Sequence, residues 1–221
     1  MTTRSQRTRG MPRRSEPVAV PRRISPILLI GGGVAVILLV AAIVAVALSG
    51  SSASISEPAT SIQVDSALPA FPGAGTDPAV GQELPTLSGI GLDGEPMTIS
   101  PDDGPMAVVI LAHWCSHCQA EVPVLTDYLQ ANGMPDGVTI KALSTSIQPA
   151  SPNYPPSAWL EREEWPAPTL VDDAASSGLR ALGMSSFPGF VFVDGDGRVV
   201  QRMTGEIGAE AFDQIVRQLA P

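Results

Sequence analysis

A mixed α/β sheet with helices on both faces is the fold this sequence predicts for residues 81–221, preceded by one transmembrane helix and a disordered linker. Three observations predict it. Strand-like apolar stretches alternate with helix-like periodic ones. A seven-residue apolar run, residues 106–112, has the length and composition of a buried strand and leads into Cys115-Ser116-His117-Cys118. The chain then closes with two strands around a turn and an amphipathic helix.

The 221 residues leave room for one domain of ordinary size plus extensions. A net charge of −9 hides an asymmetry. Residues 1–23 carry seven arginines and one acid, Glu16, for +6; the rest carries six basic and 21 acidic residues, for −15. The basic arm lies directly before residues 27–48, 22 uncharged and almost wholly aliphatic residues. That placement fits positive-inside flanking of a membrane segment better than nucleic-acid binding. At about 1.5 Å per residue the segment spans about 33 Å, enough to cross a bilayer core. Gly31-Gly32-Gly33 is tolerated in such a helix. Ala45-Val46-Ala47 resembles a signal cleavage site, but signal h-regions run about 7–15 residues, so an uncleaved anchor is preferred. No cysteine follows the run, which argues against a lipid anchor. Residues 1–26 are therefore expected in the cytoplasm, with the rest of a single-pass cell-membrane protein outside. Residues 49–80, rich in Ser, Ala, Pro and Gly, read as a flexible linker. Its 32 residues would give an end-to-end distance of roughly 30 Å.

Order is expected to begin near Gly81. Residues 84–87 and 97–99 read as short strands around Leu92-Asp93-Gly94-Glu95, where Asp-Gly marks a hairpin. Asp102-Asp103-Gly104-Pro105 turns the chain into the buried strand. Residues 116–130 read as a helix, with Val122, Leu125 and Leu129 at helical spacing and Pro123 expected to bend it. Residues 138–143 form a strand, residues 148–156 a loop with four prolines, and residues 157–164 a short helix. Residues 169–171 follow as a short strand and residues 173–182 as a helix ending at Gly183. Strands 189–193 and 198–203 flank Asp194-Gly195-Asp196-Gly197, a hairpin turn with too few ligands for calcium. The last helix, 209–219, places Phe212, Ile215, Val216 and Leu219 on one face. Tyr154, Trp159 and Trp165 read as packing residues.

Residues 113–123 hold both cysteines and both histidines of the chain. A two-residue spacer closes a tiny loop, so a disulfide there restrains the unfolded chain little. Redox or metal chemistry explains the pair better than stapling does. A helix that starts at Cys115 sets that thiol beside unpaired N–H groups and the positive end of the dipole, which favours the thiolate. Cys115 is the expected nucleophile and Cys118, one turn on, the resolving thiol. An imidazole at His117 would lower the thiol pKa and raise the reduction potential. Glu121, three residues after Cys118 on the same helical face, is the candidate proton carrier. His113 reads as a surface residue. A different class stays open: a copper or zinc module using His113, Cys115, His117 and Cys118. Four ligands from six consecutive residues, split between strand end and helix start, would converge poorly on one ion.

Trp114, Cys115 and Cys118, Glu121 and Pro123, then Pro188 and the strand-turn-strand from Phe190 to Gly197, complete a pattern. In this order the parts resemble the thioredoxin fold and, more narrowly, the membrane-anchored TlpA/ResA-like disulfide reductases of bacteria. The inserted helix and loop between the two halves and the N-terminal hairpin match that family as well, over residues 81–221. The resemblance implies a cis-proline at Pro188 facing the active site, Trp114 as a partner-facing lid, and no cofactor or metal. Three departures stand out. Ser116-His117 replaces a dipeptide with proline second, and a histidine there resembles disulfide-forming oxidases and isomerases. Val109 stands where plain thioredoxins carry a buried aspartate. Phe187 is bulkier than the usual threonine before the proline, which bears on partner contact. The expected function is a membrane-anchored, extracytoplasmic thiol-disulfide oxidoreductase that leans towards reductase, with a disulfide-forming oxidase as the alternative. Its partners would be extracytoplasmic protein thiols and disulfides, with no nucleic acid. Residues 27–48 contain no cysteine, so a separate membrane thiol donor or acceptor is implied.

Overall fold

The computed structural model describes residues 61–220, and among them no helix is long and apolar enough to cross a membrane. The expected basic arm, the membrane segment and residues 49–60 of the expected linker lie outside the described residues. A small antiparallel sheet comes first, from β1 (Gln63–Val64), β2 (Leu87–Ile90) and β3 (Pro96–Ile99). The main sheet contains β4 (Met106–Leu111), β5 (Thr139–Ser144), β6 (Thr169–Val171), β7 (Gly189–Val193) and β8 (Val199–Thr204). Their spatial order is β6-β5-β4-β7-β8. β4 and β5 run parallel, as do β5 and β6, whereas β7 and β8 are antiparallel to their neighbours. Parallel neighbours need a crossover. α1 (Ser116–Asn132) supplies it between β4 and β5. α2 (Pro156–Arg162) and α3 (Ser177–Ala181) flank β6, and α4 (Gly208–Leu219) closes the chain.

All six residues of β4 are buried because both faces of this strand are covered. Successive side chains point to opposite faces. Ala107, Val109 and Leu111 therefore join Val122, Leu125 and Leu129 of α1 and Phe212 and Val216 of α4 in one core. Met106, Val108 and Ile110 join Leu87, Ile99, Leu179 and Leu182 in a second core on the other face.

Packed chain begins earlier than the sequence predicts. Residues 61–80, read as the second part of a flexible linker, belong to the second core: Ile62, Leu68 and Ala79 are buried there. Burial of Ile62 and Leu68 stabilises by about 1.5–3 kcal/mol each, and hydrogen bonds and one buried cation complete the attachment. The N–H of Leu68 donates to the Ala181 carbonyl and that of Phe71 to the Gly183 carbonyl. Gly183 has φ +66°, and a Cβ there would run into the Pro69 carbonyl. Arg202 of β8 fastens the segment from inside, at 4 % exposure. Its Nε and Nη2 donate to the Asp77 carboxylate, and Nη1 donates to the carbonyls of Pro69 and Leu182. The guanidinium also lies 5.4 Å from the centre of the Phe71 ring. These bonds from Arg202 hold the Asp77 carboxyl below its ordinary pKa.

Two further elements differ from expectation. The helix expected over 173–182 forms only at Ser177–Ala181. Asp173 Oδ1 accepts the N–H groups of Ala175 and Ser177 instead, and the buried Asp172 carboxylate accepts those of Gly178 and Leu179. The strand expected at 84–87 forms at Leu87–Ile90 instead, because the Leu84 N–H donates across to the Gly197 carbonyl and its side chain is buried.

Candidate active site

β4 ends at Leu111, and three residues later the chain turns into α1 with Cys115 as its N-cap. Cys115 N–H donates to the Ala112 carbonyl, and Cys115 C=O accepts from Gln119 N–H, which opens the helical ladder. The Cys115 side chain is half-buried, whereas Cys118 is fully buried, and both are free thiols. Burial pushes the Cys118 thiol well above its ordinary pKa, and Cys115 and Glu121 nearby add to the rise. One contact opposes it: the Ala112 N–H donates to Cys118 Sγ at 3.5 Å. The inner sulfur therefore rests as a thiol, and the outer one faces the surface.

Opposite the pair lies the turn before β7. The Phe187–Pro188 peptide is cis, and Cys115 Sγ stands 3.8 Å from the Phe187 carbonyl oxygen, towards which it donates. Trp114 spans the rim of the site. Its Nε1 donates to the Ser146 carbonyl at 2.8 Å, and its ring meets the Phe187 ring edge-on at 5.9 Å. Glu121 is 2 % exposed, so it is no surface acid of the helix. Its Oε1 accepts the N–H groups of Ile207 and Gly208, at 3.1 and 2.9 Å, where α4 begins.

The two histidines part company. His117 is two-thirds exposed, and its Nδ1 lies 2.6 Å from Glu206 Oε1. This pair ties the start of α1 to the loop before α4. His113, expected at the surface, is fully buried. Its Nε2 accepts the Gln148 N–H at 3.1 Å, and its Nδ1 lies 2.7 Å from the Pro152 carbonyl. A backbone N–H can only donate and a carbonyl can only accept, so the ring is the neutral Nδ1–H tautomer. With both ring nitrogens engaged by backbone, His113 has none to offer an ion, and His117 turns to Glu206. The four-ligand metal reading therefore loses its geometry, and among the described residues no group of three or more His, Cys, Asp or Glu side chains could hold a metal ion.

Sequence reasoning missed Glu206, which lies 89 positions from His117 with no local pattern to mark it. It also missed Ser146 and the loop that His113 holds. A signal for His113 was present: it directly continues the buried run of residues 106–112.

A dithiol where a central strand meets a helix, facing a cis-proline across a sheet of this order, defines a thioredoxin-like fold of the thiol-disulfide oxidoreductase type. A family model described as a thioredoxin-like domain matches residues 92–220, more than half of the chain, and the chain belongs to that family. No curated protein matches it. Among solved structures, a DsbF homologue from Corynebacterium diphtheriae is similar at 16% identity, over 70% of this chain and 100% of that one, with a TM-score of 0.55. A thiol:disulfide interchange protein of the thioredoxin family from Chlorobium tepidum TLS is similar at 22% identity, over 66% and 99%, with a TM-score of 0.52. The thioredoxin domain of a thiol-disulfide oxidoreductase from Bacteroides vulgatus is similar at 20% identity, over 64% and 98%, with a TM-score of 0.51. At these identities the likeness concerns the fold, and the TlpA/ResA-like resemblance fits at that coarse level.

Proposed function

We propose that this protein is a membrane-anchored, extracytoplasmic thiol-disulfide oxidoreductase that reduces protein disulfides. The observation that carries the reading is the unequal pair: a half-buried Cys115 at a helix start, facing the Phe187 carbonyl, with a buried Cys118 thiol behind it. Cys115 thiolate attacks one sulfur of a partner disulfide, and the other partner sulfur leaves as thiolate. Cys118 then gives up its proton and attacks Cys115 sulfur, which releases the second partner sulfur. The pair has lost two electrons and two protons, and the partner disulfide has become two thiols. Glu121, on the same helical face as Cys118, takes the proton in this reading, and the Phe187–Pro188 turn with Trp114 receives the partner chain.

The direction rests on His117. An exposed imidazole already engaged with Glu206 brings little net charge to the Cys115 thiolate. The oxidising pull of the Ser-His dipeptide is weakened accordingly, which favours the reductase over the disulfide-forming oxidase. Anchoring through residues 27–48, with residues 1–26 cytoplasmic, rests on the arginine excess and the apolar run. A separate membrane thiol donor would then regenerate the dithiol.

The test is trapping with the full-length chain. Cys118→Ala should accumulate mixed disulfides with exported proteins, and Cys115→Ala should accumulate few. Equal trapping by both variants would overturn the order of attack. A reporter active only outside the cytoplasm, fused after residue 221, should be active; silence would reverse the topology.

A further inference from the structure

We propose that His113 is a positioning residue which holds the loop between Ser146 and Tyr154 as the partner-selecting wall beside Cys115. The proposal rests on the exchange reaction above and names what governs its protein specificity. His113 stands two residues before the nucleophile, and its ring and carbonyl reach into that loop and to α1. The ring takes the Gln148 N–H and gives its Nδ1–H to the Pro152 carbonyl. The His113 carbonyl accepts from Asn153 Nδ2 at 3.3 Å and from Gln119 Nε2 of α1 at 3.0 Å. The Tyr154 ring packs edge-on against the imidazole, 6.0 Å between centres.

The loop so held is exposed at Gln148, Pro149, Ala150 and Pro152. Its first residue, Ser146, supplies the carbonyl that fixes the Trp114 indole, and the same indole meets Phe187 on its other side. Trp114 thus joins two walls, the cis-proline turn and the loop, next to the half-buried Cys115 thiol. A protein disulfide that reaches Cys115 must lay its flanking backbone against these walls. Ser146 and Asn153 both have positive φ, a conformation that costs a non-glycine residue energy and persists only where surroundings fix it. His113 supplies that fixing from the buried side. A preformed wall spares a partner the entropy of ordering it at docking.

The experiment is single-turnover exchange between the reduced full-length chain and insulin as a protein disulfide, with hydrogen exchange of the Gln148 amide read in parallel. His113→Phe keeps a ring against Tyr154 and removes both polar links. It should speed Gln148 exchange and raise the half-saturating insulin concentration about tenfold, the order expected when a binding loop must be ordered on docking, with the saturated rate within about twofold. His113→Gln, which keeps an acceptor for the Gln148 amide, should recover part of the affinity. Asn153→Gly leaves the buried ring untouched, loses the bond to the His113 carbonyl and the one from Arg162, and should move half-saturation the same way by about threefold. A His113→Phe chain with unchanged Gln148 exchange and unchanged half-saturation overturns the proposal. So does a fall in saturated rate with half-saturation unmoved. A parent chain that leaves insulin oxidised brings down the exchange reading itself, and the proposal with it.

Discussion

The two faces of the main sheet are closed in different ways. On the face that carries chemistry, β4 meets α1 and α4 through apolar side chains such as Val109, Val122, Leu125 and Phe212, so the helix start that holds Cys115 rests on a packed core. On the other face the cover includes residues 61–80, a stretch too poor in apolar side chains to hold by packing alone. One buried cation, Arg202, does the holding through Asp77, two carbonyls and the Phe71 ring. Both faces have a packed apolar core, but on the second the covering segment 61–80 is held chiefly by a single charge pair. The two faces should therefore fail differently, one by losing exchange and the other by losing the fold.

The largest effect is expected on the clamped face. Asp77→Ala leaves Arg202 buried without its counter-charge and should lower stability by about 3–5 kcal/mol in urea unfolding. The double variant Asp77→Ala/Arg202→Met should be more stable than Asp77→Ala alone, because the stranded charge is gone. A loss below about 1 kcal/mol for Asp77→Ala, the level of an exposed pair, would remove the distinction between the faces.

On the chemical face, Glu121→Gln removes a charged acceptor from the N–H groups of Ile207 and Gly208. It should cost about 1.5–3 kcal/mol of stability. If Glu121 takes the Cys118 proton as proposed, Glu121→Gln should also slow the resolving step in stopped-flow measurements. Lowered stability with an unaltered resolving rate would leave Glu121 the fastener of α4 and nothing more.

Cys118 gives the same face a pH signature. Its pKa is raised on folding, so its contribution to stability is complete below the ordinary thiol value of 9.0 and is lost as pH rises above it. Above pH 9 the reduced protein should lose stability relative to Cys118→Ala with a slope approaching about 1.4 kcal/mol per pH unit. Tyr128, pushed up to about 12 chiefly by burial, adds a similar loss only above its own ordinary value of 10.0. Parallel stability curves for the two proteins between pH 9 and 10 would contradict the buried-thiol account.

The smallest effect belongs to His117. An exposed pair is worth about 0.2–1 kcal/mol, which for a two-electron couple is below about 20 mV. His117→Pro should shift the reduction potential by no more than that, and Glu206→Gln should raise the potential by freeing the imidazole. A fall of several tens of millivolts in His117→Pro would return the redox poise to His117 and revive the oxidising role.

What the sequence made legible follows the same division. The chemical face is written in local patterns: an apolar run for β4, helical spacing of Val122, Leu125 and Leu129, and Cys115-x-x-Cys118 at their junction. Each is set by neighbours within a few positions, where period and capping rules act. The clamped face depends on pairs far apart in the chain, such as Asp77 with Arg202, separated by 125 positions. No local rule marks Ile62 or Leu68 as core residues in a stretch rich in Ser, Pro and Gly. His113 escaped for a related reason, since its partners Gln148 and Pro152 lie 35 and 39 positions on. The loop that brings them back also contains a second cis peptide, Tyr154–Pro155, which no pattern in the sequence marks.

The unequal exposure of the two thiols has a consequence beyond exchange. A peroxide that reaches this surface meets Cys115 first and converts it to a sulfenic acid, the step from which further oxidation to sulfinic and sulfonic acid is irreversible for most proteins. Cys118 lies one turn behind, out of reach of the oxidant but within reach of Cys115 sulfur. Its attack would expel water and leave a Cys115–Cys118 disulfide, a state that thiol-disulfide exchange can reduce again. Burial of the second sulfur thus sets a resolving thiol behind the exposed one, so that oxidation of Cys115 has a reversible outlet.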